Sequence, residues 1–212
     1  MFKNLIYVFM FSIILGNSND ILSKFNTGID WSLVEEKNDQ KIFEYYNLSC
    51  DCVYSKIEQP VNFNEKDILD VISGVDQYNI VIKNKSLNTA LIEVKNDTIF
   101  AYQIIKNSIP FASDRQYVFK MYYVDENHLE WSIVGQNSDY LIPYLNEDIR
   151  TLNFGAGSWS FRYEDSKKFL INKIYVEDGV NLPAIFINKL KRNHVVQIFN
   201  DILDTLKKTK GE

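Results

Sequence analysis

Apolar and polar residues alternate with a period of two through most of the middle of the chain, and each such run predicts a β-strand. The runs are KIFEYY (41–46), LSCDCVYSKI (48–57), NTALIEVK (88–95), TIFAYQIIK (98–106), RQYVFKMYYV (115–124), HLEWSIVG (128–135), GSWSFRYE (157–164) and KKFLINKIYV (167–176). Short turns carrying Asn-Asp, Asp-Glu-Asn or Asp-Ser separate several of them, which predicts an antiparallel meander. Elsewhere the period lengthens. NEKDILDVISGV offers Asn64 as an N-cap, acids in the first turn and apolar residues at Ile68, Leu69, Val71 and Ile72, so a short helix is expected there. A further helical stretch is read at Asn19 to Lys24.

The C-terminal stretch carries the strongest helical pattern. Asp178-Gly179 supplies a turn after the last strand, and Pro183 suits the first turn of a helix, where its missing N–H would be unpaired anyway. Ile187, Leu190, Val195, Ile198, Ile202 and Leu206 then fall on one side, while Lys189, Lys191, Gln197, Asn200 and Asp204 fall largely on the other. A long amphipathic helix after a run of strands needs a sheet to close against. The order of elements predicts an α+β domain in which a curved antiparallel sheet holds the last helix on its concave side.

Alternation also sorts the inner from the outer face. Arg115, Tyr117, Phe119, Met121 and Tyr123 share one face, taken as the inner one, as do Leu129, Trp131 and Ile133, with His128, Glu130 and Ser132 pointing out. An inward arginine among aromatics calls for a carboxylate or the polar group of a ligand.

Length and charge narrow the picture. The 212 residues suit one domain that can enclose a cavity and still keep a core. A formal charge of -5 with both signs scattered leaves no basic stripe, which argues against nucleic acid as a partner. Thirteen Tyr and fourteen Phe can line a surface that is apolar in bulk and polar at its edges, though they equally suit a β-rich core.

Residues 1–18 read as a signal peptide, with Lys3 before the apolar run Leu5 to Leu15 and small residues at Gly16-Asn17-Ser18. The apolar run falls short of the about 20 residues that span a bilayer. Residues 19–212 are then the mature domain, exported to a periplasmic or extracellular compartment. Cys50 and Cys52, two apart in a strand-like run, are read as small buried apolar residues, with an oxidised pair as the alternative in an exporting compartment. They are too few for a closed zinc site, and His128 and His194 form no ligand spacing with them. No metal or cofactor is expected.

Several segments in order resemble the START family, the lipid-transfer domains related to the steroidogenic acute regulatory protein. An early tryptophan and extended strand stand in DWSLVEEKNDQKIFEYY. PFASDRQYVF is similar to the family's loop and Arg-Asp-Phe-Val strand, with Arg115 and Val118 kept, Gln116 in place of the acid and Tyr117 in place of the phenylalanine. IRTLNFGAGSW resembles the arginine strand leading to a Gly-Ser-Trp turn, and EDGVNLPAIFINKL resembles the closing signature. The resemblance implies a helix-grip fold with a lipid or sterol cavity between the sheet and the last helix. It implies a gate loop from Asn107 to Asp114, with Ile109, Pro110 and Phe111 placed against a bilayer, and a lid that includes Ile187 and Leu190. Arg115, Tyr117, Phe119, Met121, Leu129, Trp131 and Ile133 would line the cavity.

The function expected is non-catalytic binding and transfer of a lipid or other hydrophobic molecule by a monomer that touches membranes transiently. Related helix-grip domains include cyclases and hydrolases, which makes an enzyme the alternative, with His128, His194, Asp178 and Glu130 as acid–base candidates. Against it, His128 and Glu130 are read as outward and His194 as a surface or boundary residue, and no Gly-x-Ser-x-Gly elbow is present. A secreted interaction module with a filled core is the third reading.

Overall fold

A computed structural model describes residues 18–106, 113–135, 138–139, 142–144, 146–177 and 184–211. The strands are β1 (Ser32–Lys37), β2 (Gln40–Asn47), β3 (Cys52–Pro60), β4 (Leu87–Lys95), β5 (Thr98–Ile105), β6 (Arg115–Asp125), β7 (His128–Val134), β8 (Arg150–Thr151), β9 (Gly155–Glu164) and β10 (Lys167–Val176). The helices are α1 (Ser18–Asn26), α2 (Glu65–Ser73), α3 (Tyr78–Val81) and α4 (Ala184–Lys210). The α+β class and the sheet closing on a long C-terminal helix are as the sequence predicts. Residues 1–17, all but the last of the stretch expected to be a signal peptide, lie outside the described residues, and so do Asp178, Gly179 and Pro183 before α4.

Two-residue turns set several hairpins. Asn38-Asp39, Asn96-Asp97 and Asp165-Ser166 all have positive φ, between 47° and 62°. Short polar side chains tolerate that left-handed backbone, and the resulting turns match the right-handed twist of the strands they join.

The sheet is not one continuous meander. Its order is β1-β2-β3-β10-β9-β7-β6-β5-β4, with the short β8 parallel to β6. After β3 the chain runs through α2 and α3 to the far edge, returns strand by strand, and closes β10 against β3 from Phe169↔Pro60 to Ile174↔Ser55. That pairing joins residues more than a hundred positions apart, which local alternation cannot reveal.

Asn64 caps α2 as expected, its side chain accepting the Lys66 backbone N–H at 2.9 Å. Ile68, Leu69 and Ile72 of α2 meet Phe199, Ile202, Leu203 and Leu206 of α4 in the main core. The α4 stripe is therefore wider than predicted, because it packs on α2 as well as on the sheet. Phe199 is fully buried and stacks on Trp159 at 5.6 Å between centroids.

The outer face differs from the expectation at Glu130 and Ser132, which are buried rather than solvated. The reason is α1, whose Ile21, Leu22 and Phe25 pack on that face with Tyr54 and Ala156. Asn26 donates to Glu130 Oε1 at 3.3 Å, Tyr122 donates to Glu130 Oε2 at 2.9 Å, and Lys173 Nζ donates to the Phe25 carbonyl at 2.7 Å.

The cysteines also correct the sequence reading. Cys50 and Cys52 form a disulfide, with Cys50 exposed in the β2–β3 turn and Cys52 buried at the start of β3. They do not share a strand face, because residues 48–51 form a turn in which Asp51 has φ 50°.

Candidate ligand-binding cavity

Between α4 and the concave face of the sheet lies a cavity of about 580 Å³. One end is apolar, walled by Ile82, Phe119, Met121, Trp131, Trp159 and Ile202. Its shape depends on Gly157, where an added Cβ would run into the Trp131 indole and sit 2.9 Å from the Lys173 carbonyl. The bare glycine lets Trp131 lie flat against the sheet, edge-on to Phe119 at 6.0 Å.

The other end is polar. Tyr117 donates its hydroxyl to Gln103 Oε1, and Gln103 Nε2 donates to Thr89 Oγ1 at 2.7 Å. Asn79 holds Thr89 in turn, accepting its backbone N–H at 2.9 Å and donating to its carbonyl at 2.8 Å. Burial pushes the Tyr117 hydroxyl well above the usual tyrosine range, against the pull of the Arg115 charge. Asn84, Ser86, Arg115 and His194 complete this end, and Lys85, Lys106 and Lys191 stand at its margin. Burial, with a smaller contribution from the Arg115 charge, holds His194 down at about 4. The ring is partly accessible and borders the cavity.

Of the residues expected to line the cavity, Arg115, Tyr117, Phe119, Met121 and Trp131 do so. Leu129 and Ile133 share their face but lie in packed core beyond the cavity. Leu129 is paired between Tyr123 and Trp159, and the Ile133 side chain fills the space above Gly155. Tyr123 is 42% exposed, its hydroxyl donating to Ser73 Oγ at 3.1 Å. Leu190 borders the cavity and is 45% exposed. Ile109, Pro110, Phe111 and the side chain of Ile187 lie outside the described residues.

His194, expected at the surface or a boundary, is instead part of the cavity wall. Its spacing of four from both Leu190 and Ile198 was the available signal. Gln103 lines the cavity beside its cross-strand partner Tyr117 and escapes the sequence reading because the faces of the 98–106 strand are not sorted there. His128 and Glu130 stay on the outer face, 3.5 Å apart, and Asp178 lies outside the described residues. Gln116, where the START pattern has an acid, is fully buried on the outer face. Its amide donates to the carbonyls of Asn146 and Ile149 at 3.0 and 3.2 Å and accepts the Tyr102 hydroxyl at 2.7 Å. A carboxylate could not donate to those carbonyls.

No family model matches the sequence, and no curated protein matches it either. Solved structures do. The STAR-related lipid transfer protein from Xanthomonas axonopodis (fragment 25-204) aligns with a TM-score of 0.69 at 13% identity, over 84% of this chain and 98% of that one. Human StAR-related lipid transfer protein 5 aligns with a TM-score of 0.69 at 7% identity, over 91% and 94%. The fold is that of the START domains. The same START-type fold extends to the Zhui aromatase/cyclase from Streptomyces, with a TM-score of 0.50 at 10% identity over 73% of this chain and 93% of that one. At such identities the likeness carries the fold alone. Among the described residues, no cluster of three or more His, Cys, Asp or Glu side chains could hold a metal ion. None of the helices there is long and apolar enough to cross a membrane.

Proposed function

We propose that this START-fold chain is a non-covalent carrier that takes one lipid or similar hydrophobic molecule into the cavity and exchanges it at a membrane surface. The observation that carries this reading is the cavity itself, whose volume falls within the roughly 300–1,000 Å³ typical of small-molecule sites and whose far end is aromatic and aliphatic. Each buried methylene contributes about 0.8 kcal/mol, so a chain of a dozen carbons supplies ample affinity without any chemical step. Catalysis is the weaker reading because the cavity histidine, held at about 4, is a poor base near neutral pH. In this proposal Ile109, Pro110, Phe111, Ile187 and Leu190 form the gate. The protein acts as an exported monomer after removal of residues 1–18.

Native mass spectrometry of the protein, purified from its own host without detergent, tests the reading, followed by solvent extraction of whatever is bound. A lipid at one per chain is the expected result. An empty protein that also takes up nothing from a lipid panel would overturn it in favour of an enzyme or an interaction module.

A further inference from the structure

The neighbours of His194 set its protonation state. Asn84 Oδ1 accepts from the Ser86 backbone N–H at 3.0 Å and from the Ser86 hydroxyl at 2.7 Å. Two donors on that oxygen identify the ends of the amide, so it is Asn84 Nδ2 that lies 2.9 Å from His194 Nδ1. An amide N–H only donates. Nδ1 is therefore the acceptor, and the ring carries its single proton on Nε2.

Donors and positive charge gather at this end of the cavity. Arg115 is near enough for its charge to act on both the His194 ring and the Tyr117 hydroxyl. Lys85 and Lys106 stand at the margin, the Lys106 backbone N–H donating to the Ser86 carbonyl at 2.6 Å. Several of the acceptors here are already engaged, and Glu177 is the single acid among the described residues that line the cavity, against Arg115, Lys85, Lys106 and Lys191. Gln103 Oε1 takes the Tyr117 hydroxyl, Asn84 Oδ1 takes Ser86, and Glu177 Oε1 takes the Asn153 backbone N–H.

We propose that this pole is a headgroup site for a single-chain amphiphile ending in an anionic oxygen group, a carboxylate or a phosphate monoester. The head oxygens accept from His194 Nε2–H and face Arg115, while the chain runs along Phe119, Met121, Trp131 and Trp159. The inference rests on the carrier reading and names its ligand class. An ammonium head would meet donors and positive charge. An alcohol head accepts a hydrogen bond but brings no charge, and so forgoes the stronger charge-assisted interaction.

Calorimetric titration of the purified protein with dodecanoate, dodecyl phosphate, dodecanol and dodecylammonium tests this. The two anions should bind about tenfold or more tighter than dodecanol, with dodecylammonium weakest. The tighter of the two anions then identifies a free acid or a phosphate as the source. His194→Leu should remove most of the anion preference while leaving dodecanol binding in place, and His194→Gln, which keeps a donor, should restore part of it. Nitrogen-15 NMR of the wild-type ring, which needs no variant to fold, should find the proton on Nε2. Dodecanol binding as tightly as the anions, an equal loss for every probe in His194→Leu, or the proton on Nδ1 would each overturn the headgroup site and leave the carrier reading standing. Failure of all four amphiphiles to bind would overturn both.

Discussion

His194 sits in the wall of a cavity rather than on a wet helix face, and that placement has a thermodynamic consequence. Its ordinary value near 6.5 falls to about 4 in the folded chain, mainly through burial and secondarily through the Arg115 charge. The unfolded chain therefore takes up the proton first as pH falls. The stability linked to this group is complete above about pH 6.5 and is progressively lost down to about pH 4, where the loss levels off. The whole effect is on the order of 3 kcal/mol. Urea unfolding across that window should show the decline in the wild type and a distinctly shallower one in His194→Gln. Parallel curves for the two proteins would show that His194 titrates normally in the folded state. Gln116 makes the complementary point on the outer face. It stands at the START acid position, yet its amide both donates and accepts in tying the 146–151 segment to β6.

At the scale of elements, α4 is held by two kinds of contact. Its apolar side closes on the sheet and on α2 through Phe199, Ile202, Leu203 and Leu206. Residues assigned to its wet side also anchor it. Asp204 pairs with Lys83 at 2.6 Å, and Asn200 Oδ1 accepts from Gln40 Nε2 at 3.0 Å. Arg192 reaches Glu44 at 2.7 Å. Because such partly exposed pairs contribute little each, the apolar contacts decide whether the helix stays docked. Phe199→Ala should cost about 3–5 kcal/mol, read as a lower urea midpoint with an unchanged slope, since it removes a fully buried ring stacked on Trp159. A loss below 1 kcal/mol on that scale would mean that α4 is not held through this contact. Element positions were largely legible in the sequence, since strand alternation and the Asn64 cap are local signals. The burial of Glu130 was not, because α1, which covers it, lies about a hundred positions away.

The whole molecule combines a packed core with an open interior space, and the division between them falls along single strands. On β7, Trp131 borders the cavity while Leu129 and Ile133, on the same face, are buried in solid packing. Met121 borders the space from β6, so a larger side chain there can occupy it without displacing the sheet. Met121→Trp should keep the fold but lower the stoichiometry of bound dodecanoate. It should also lose the ligand-dependent rise in melting temperature, which in the wild type corresponds to about 2.7 kcal/mol at a hundredfold excess over Kd. Unaltered stoichiometry would show that Met121 does not meet the ligand.

Features that depend on near neighbours along the chain are already legible in the order of its residues. The two-residue turns at Asn38-Asp39 and Asn96-Asp97, the α2 cap and the face shared by Arg115, Tyr117, Phe119 and Met121 all follow from local backbone preference and side-chain alternation. The closure of β10 on β3, the size of the cavity and the tautomer of His194 arise from packing in three dimensions. Each of these is set by groups more than a hundred residues apart or by space left unfilled between elements. No periodicity encodes a void, and no local pattern brings Asn84 to His194. Those outcomes come from how the packed elements meet, and the polar end of the cavity owes its chemistry to that meeting.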